Sequence, residues 1–109
     1  MDNKQGMNNQ LPVDRIRINE QRLDRCSESL TLLAHALQRY MDAQQDLRSL
    51  EAYYSSPAWL EDNDAQERGE FPDDLKCGVL SEDAVFDLLT DHKELCVTMA
   101  EILAALKQK

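Results

Sequence analysis

The chain has 109 residues, a formal net charge of −9 at pH 7, and only three glycines and three prolines. One domain is expected at this length, and the scarcity of turn-forming residues excludes a fold with many tight turns and favours long helices. The negative charge excludes direct nucleic-acid binding, which depends on Lys and Arg, and no stretch approaches the ~18 apolar residues of a membrane span. Since the polar N-terminus also lacks the apolar core of a signal peptide, we expect a cytoplasmic protein.

A polar segment at residues 1–12, rich in Asn, Gln and Gly, predicts a flexible tail that ends at Pro12. The pattern then changes to two apolar rows with a seven-residue repeat, which is typical of a coiled-coil stripe. No Gly or Pro interrupts residues 13–54, so we predict one long helix there. The first row comprises Ile16, Leu23, Leu30 and Leu37, and the second comprises Cys26, Leu33, Tyr40, Leu47 and Tyr54.

Residues 55–80 are predicted to form a short helical connector. Ser56 and Pro57 are typical of a helix N-terminus, where a serine hydroxyl accepts from the first amides. Gly69 is typical of a helix C-terminus. A last helix is predicted over residues 81–106, with Ser81 as its N-cap and an apolar stripe along its length.

Two striped helices joined by a compact connector predict an all-α antiparallel helical hairpin within a single helical domain, residues 13–109. The first helix is longer than the last. About 15 residues at its start would therefore have no partner within the chain. Because Val13, Ile16, Leu23 and Cys26 would be left partly uncovered there, we predict a homodimer through the start of the long helix.

The whole charge excess lies in the connector and the first part of the last helix, because residues 56–91 contain eleven acids and only two bases, a net charge of −9. One interpretation is that these acids only keep the protein soluble. The other is that they bind a basic protein, with two aromatic residues as anchors. The predicted partner-binding residues are Trp59, Glu61, Asp62, Asp64, Glu67, Glu70, Phe71, Asp73 and Asp74. Trp59 could equally close the end of the hairpin.

The cysteines and histidines predict no metal or redox centre. Cys26, Cys77 and Cys96 match no CxxC pattern, and a thiol with no such pattern usually serves as a small apolar side chain. His35 and His92 are not part of the Glu-x-x-His pairs that helical bundles use to bind metals. We therefore expect no cofactor.

One enzymatic alternative rests on paired carboxylates. Magnesium-dependent nucleotide pyrophosphatases hold metal ions between carboxylate pairs on facing helices. Glu67-x-x-Glu70 and Asp91-x-x-Glu94 have a vaguely similar spacing, but Gly69 interrupts the first pair and no cluster of bases lies near for a triphosphate. The sequence contains no nucleophilic triad and no phosphate-binding glycine loop.

Several strings in the second half of the chain resemble a known family. Tyr53-Tyr54-Ser55-Ser56, Trp59-Leu60-Glu61-Asp62 and Gly78-Val79-Leu80-Ser81-Glu82-Asp83-Ala84 are similar to an uncharacterised bacterial domain-of-unknown-function family (number 4298). The resemblance covers about residues 20–105. It implies a short helical protein of bacterial origin in the cytoplasm, and it implies no activity.

The leading hypothesis is therefore a small acidic protein-binding module, such as an adaptor, an inhibitor or an immunity-like protein, and not an enzyme. Its acidic connector would dock a basic partner protein. A structural homodimer without another ligand is the first alternative, and the magnesium-dependent hydrolase is the second.

Overall fold

The computed structural model describes the backbone of residues 2–108 and the side chains of residues 10–108. The fold is all-helical, as predicted, and the described residues contain no strand. The chain divides into two compact units, Met1–Gln44 and Gln45–Lys109. The helices are α1 (Asp2–Asp42), α2 (Gln44–Tyr54), α3 (Pro57–Glu67) and α4 (Glu82–Leu106), with a 3₁₀ helix at Gly78–Leu80.

Helix α1 includes the segment predicted to be a polar tail. Its backbone is helical from Asp2, and Pro12 lies inside the helix. Proline lacks the N–H that bonds to the preceding turn, which is why the sequence favours a helix start near this position. The side chains of residues 1–9 lie outside the described part of the chain.

The region predicted as one long helix consists of two helices separated at Ala43. The side-chain amide of Gln44 donates a hydrogen bond to the Tyr40 carbonyl at 2.8 Å. That carbonyl is the acceptor that the backbone N–H of Gln44 would use in a continuous α-helix. The same kind of bond, from the Asn19 side-chain amide to the Arg15 carbonyl at 2.8 Å, lies inside α1 without interrupting it, so the Gln44 bond accompanies the break and does not by itself explain it.

Local sequence signals account for the ends of the later helices. Gly69 has φ +72°, a left-handed conformation that glycine adopts without steric cost, and its N–H donates to the Gln66 carbonyl at 2.9 Å. Ser56 and Ser81 occupy the N-cap positions with extended backbones. The prediction that their hydroxyls cap the helices is wrong: neither makes a side-chain cap bond, and the Ser56 hydroxyl donates to the Tyr53 carbonyl at 2.6 Å.

The apolar core of the described residues is small and lies in the second unit. It consists of Trp59 from α3, Leu80 from the 3₁₀ helix and Val85 from α4. The apolar rows of the two long helices are instead exposed. Leu23 and Leu33 of α1 are 58 % and 55 % exposed, and Leu95 and Leu103 of α4 are 41 % and 53 % exposed. Most of the apolar side chains on these two helices therefore remain accessible to a partner.

Candidate protein-binding face

A set of side-chain hydrogen bonds holds α3 against the segment that leads into α4. The indole N–H of Trp59 donates to the Val79 carbonyl at 2.9 Å, and the amide of Asn63 donates to the Leu80 carbonyl at 2.8 Å. Both donors lie on one side of α3, because residues four apart are neighbours on a helix surface. We call residues 53–85 the clasp.

The end of α2 is also tied into the clasp. The Tyr54 hydroxyl donates to the Glu82 carbonyl at 3.1 Å, and its ring meets the Trp59 ring edge to face, with centroids 5.2 Å apart and planes at 74°. This arrangement suits the aromatic quadrupoles. It also leaves Trp59 only 8 % exposed. Trp59, predicted as a partner anchor or an end plug, therefore lies in the core of the clasp.

A short hydrogen bond links α2 to α3 at the edge of the acidic region. The Tyr53 hydroxyl donates to Asp62 Oδ2 at 2.6 Å, and both side chains are half-buried. This bond, followed by burial and the negative charge of Asp62, raises the pKa of Tyr53 to about 12. Asp62 therefore holds the clasp together as well as adding charge.

The Tyr53 hydroxyl is expected to contribute to the free energy of unfolding below pH 10 and to lose this contribution at alkaline pH. The Tyr53→Phe variant is expected to lack the contribution at every pH. The folded protein holds the phenol proton more tightly than the unfolded chain, whose tyrosine has the ordinary pKa of 10.0. The contact thus contributes fully below pH 10 and is lost as the pH rises towards 12. Denaturation of the native protein and of the Tyr53→Phe variant across this pH range measures the contribution of the contact, since all other titrating groups are the same in the two proteins. An equal decrease of the free energy of unfolding between pH 10 and 12 in the two proteins would contradict the raised pKa of Tyr53.

Three other acids of α3 are exposed. Glu61, Asp64 and Glu67 follow one another at intervals of three residues, so they share a ridge of the helix. None of them forms an ion pair with a described residue, although the charge of Asp64 acts on Arg68 from a distance. We call these three residues the acidic face. It presents exposed negative charge on a helix that the clasp holds in place.

The remaining predicted partner-binding residues lie in the loop after α3. Glu70 forms an ion pair with Arg68, the one ion pair found between described side chains, so its charge is partly compensated. Asp73 and Asp74 are exposed, and Phe71 is half-buried. A groove of about 240 Å³ runs along this loop. Its lining residues are Gln66, Gly69, Phe71, Pro72, Asp73, Leu75 and Cys77.

A second hollow contains candidates that sequence reasoning missed. It has a volume of about 450 Å³, and Glu82, Asp83 and Phe86 line it together with the two clasp aromatics. Phe86 is 58 % exposed. The sequence contains a signal for this hollow, because Glu82 and Asp83 precede Phe86 by four and three positions. The helix dipole explains acids in the first turn of a helix equally well, so the signal did not identify a site.

The first carboxylate pair considered for the magnesium-dependent alternative spans the end of α3. Glu67 is the last residue of α3, and Glu70 follows the left-handed Gly69, so the two are not on successive turns of one helix. Among the side chains of residues 10–108, no three His, Cys, Asp or Glu residues lie close enough together to hold a metal ion. His92 Nε2 lies 3.7 Å from Cys96 Sγ, one helical turn away.

The fold and the site thus describe an all-helical protein with a small aromatic clasp and an exposed row of acids. The profile of the domain of unknown function DUF4298 matches residues 16–102, and the chain belongs to this family. The match begins in α1 and ends in α4, so it includes the whole clasp. No curated protein and no solved structure matches the chain. In the part of the chain that the structure describes, no helix is both long and apolar enough to cross a membrane.

Proposed function

We propose that the protein is a protein-binding module that docks a basic protein through the acidic face and the adjoining loop. The observation that carries the proposal is the exposed ridge of Glu61, Asp64 and Glu67, which forms no ion pair with a described residue. Carboxylates arranged in this way attract a basic surface from a distance and fix its orientation on contact. An adaptor, an inhibitor or an immunity-like protein would each use such a face.

Rigidity of the clasp supports the proposal. Hydrogen bonds of 2.6 to 2.9 Å hold α3 in place through Trp59, Asn63 and the Tyr53–Asp62 pair. A preformed surface loses less conformational entropy on binding than a disordered acidic segment does. The acids of α3 are therefore suited to specific recognition as well as to solubility.

The groove beside the acidic face suits a long basic side chain. Phe71 and Leu75 offer apolar surface to the methylene stem of a lysine or arginine, while Asp73 offers a carboxylate to its charged head. A partner with two or three such side chains on a helix or strand would bind both the groove and the acidic face. We place this interaction in the bacterial cytoplasm.

The predicted hairpin stays a prediction. In it, the apolar rows of α1 and α4 cover each other. Most apolar side chains of α1, and most of those of α4 after Val85, are exposed, so each row has surface that a partner could cover, either the other row or a second chain.

Affinity capture from a native bacterial lysate tests the docking proposal, with the triple variant Glu61→Gln, Asp64→Asn, Glu67→Gln as the bait beside the native chain. We expect the native chain to retain a basic protein at low salt and to release it at high salt, because screening weakens exposed charge contacts. The triple variant is expected to lose it by at least about tenfold. Asp62 is left unchanged because its carboxylate accepts the Tyr53 hydroxyl.

A matched control separates the site from the overall charge. The variant Asp14→Asn, Glu20→Gln, Asp24→Asn removes the same three charges from exposed positions of α1. We expect it to capture the partner like the native chain. Equal losses in both triple variants, or a partner that resists high salt, would count against docking at the acidic face.

A further inference from the structure

The centre of α1 is an apolar surface with no charge on it. Residues 29–38 contain no Asp, Glu, Lys or Arg, although α1 as a whole is rich in them. Four leucines of the seven-residue rows lie in this segment or just before it, and they are between 43 % and 71 % exposed: Leu23, Leu30, Leu33 and Leu37. Cys26, between Leu23 and Leu30, is also exposed. An uncharged, exposed row of this kind on a helix is unfavourable in water unless another apolar surface covers it.

We propose that a second copy of the chain covers this row, with the two α1 helices antiparallel. In one register the row covers itself: Leu30 lies opposite Leu33 of the second copy, and Cys26 lies opposite Leu37. In the next layer outwards, Leu23 lies opposite Tyr40.

This is the alternation of a and d positions that packs knobs into holes in a coiled coil. The two-fold axis then passes between residues 31 and 32, within the uncharged segment, so the central contacts involve no charged side chain.

The helix macrodipoles decide between the two directions. Two antiparallel helices place the positive end of each macrodipole beside the negative end of the other, which is favourable, whereas two parallel helices place like ends together.

The area that the row can bury is close to what a specific interface needs. Five exposed side chains from each copy lie in the contact, and a large apolar side chain removes roughly 60 to 120 Å² from water when it is fully buried, at the usual transfer coefficient. The sum is roughly 600 to 1,200 Å², a range that includes the lower limit of about 1,000 Å² for a specific interface. The homodimer predicted from the sequence uses the start of the long helix and shares Leu23 and Cys26 with this row. The absence of charge in residues 29–38 is the reason to place the centre of the contact further along α1.

Disulfide trapping tests the register directly. In a chain with Cys77→Ser and Cys96→Ser, Leu37→Cys is expected to form an intermolecular disulfide with Cys26 of the second copy when oxidised glutathione is added. With Cys26 as the sole cysteine, or with Leu37→Cys combined with Cys26→Ser, we expect no covalent dimer, because the antiparallel register separates identical positions by about 16 Å. A covalent dimer through Cys26 alone would indicate parallel helices and overturn the proposal.

Sedimentation equilibrium gives a second test that needs no new cysteine. Native protein at micromolar concentration should have the mass of a dimer, and Leu33→Glu should weaken association by about a hundredfold or more, because it places a charge in each central contact. Leu32→Glu is the matched control, since Leu32 is exposed but lies outside the row. A native monomer, or equal effects of the two substitutions, would overturn the proposal and leave α4 of the same chain or another protein as the occupant. These results do not depend on the acidic face.

Discussion

Trp59→Ala is expected to unfold the clasp. Trp59 is the largest of the three buried side chains in the described part of the chain, and its indole also forms the hydrogen bond to Val79. Truncating a buried tryptophan removes about 3–5 kcal/mol of stability. A core of three side chains has little reserve against such a loss. We expect lower helicity in circular dichroism and an unfolding midpoint shifted far down in urea.

Two further variants isolate the cause of this effect. Trp59→Phe keeps most of the ring contact with Tyr54 but loses the indole N–H, so an intermediate loss of about 1–3 kcal/mol is expected. Leu60→Ala changes the next residue of α3, which is 61 % exposed, and should stay within about 0.5 kcal/mol of the native chain. Equal midpoints for Trp59→Ala and Leu60→Ala would show that Trp59 does not form a core.

Val85→Asp is expected to have the second large effect. Val85 is 2 % exposed, the most buried of the three core residues. An ionised carboxylate there lacks water, and a buried charge without a partner costs about 3–5 kcal/mol. Burial also raises the pKa of the new carboxyl group. The stability deficit should therefore shrink as the pH falls and the group takes up a proton.

Val97→Asp provides the matched control for this prediction. It makes the same substitution in the same helix at a position that is 59 % exposed, so the two variants differ chiefly in burial. The helix dipole favours an acid at position 85, near the start of α4, and so works against the loss expected there. Urea denaturation should show a small loss for Val97→Asp that does not depend on pH between 4 and 7. A similar loss in both variants would mean that the two sites do not differ in burial.

Sequence reasoning reached the all-helical class and the family, because both depend on local features. Apolar residues at seven-residue spacing predict a helix regardless of how that helix packs. Gly69 follows the end of α3 because few other residues adopt its positive φ readily. The break at Ala43 was not predicted, because residues 13–54 contain no Gly or Pro and the second apolar row continues across it from Tyr40 to Leu47.

The candidate site was predicted in part. The sequence identified the acids of α3 as a group, and the structure shows three of them on one exposed ridge. It could not separate Asp62, whose carboxylate accepts the Tyr53 hydroxyl, or Glu70, which pairs with Arg68. Nor could it assign Phe86 to the hollow beside the clasp. These distinctions depend on neighbours that are distant in sequence or on side-chain rotamers.

The sequence by itself determined the helical class, the family and the concentration of acid in residues 56–91, because helix periodicity and net charge are sums over local residue types. Only the tertiary structure decided that Trp59 belongs to a core and that Glu61, Asp64 and Glu67 face solvent. The physical reason is that the carbonyls of Val79 and Leu80 come to α3 from 17 to 20 residues away and fix which side of the helix is covered.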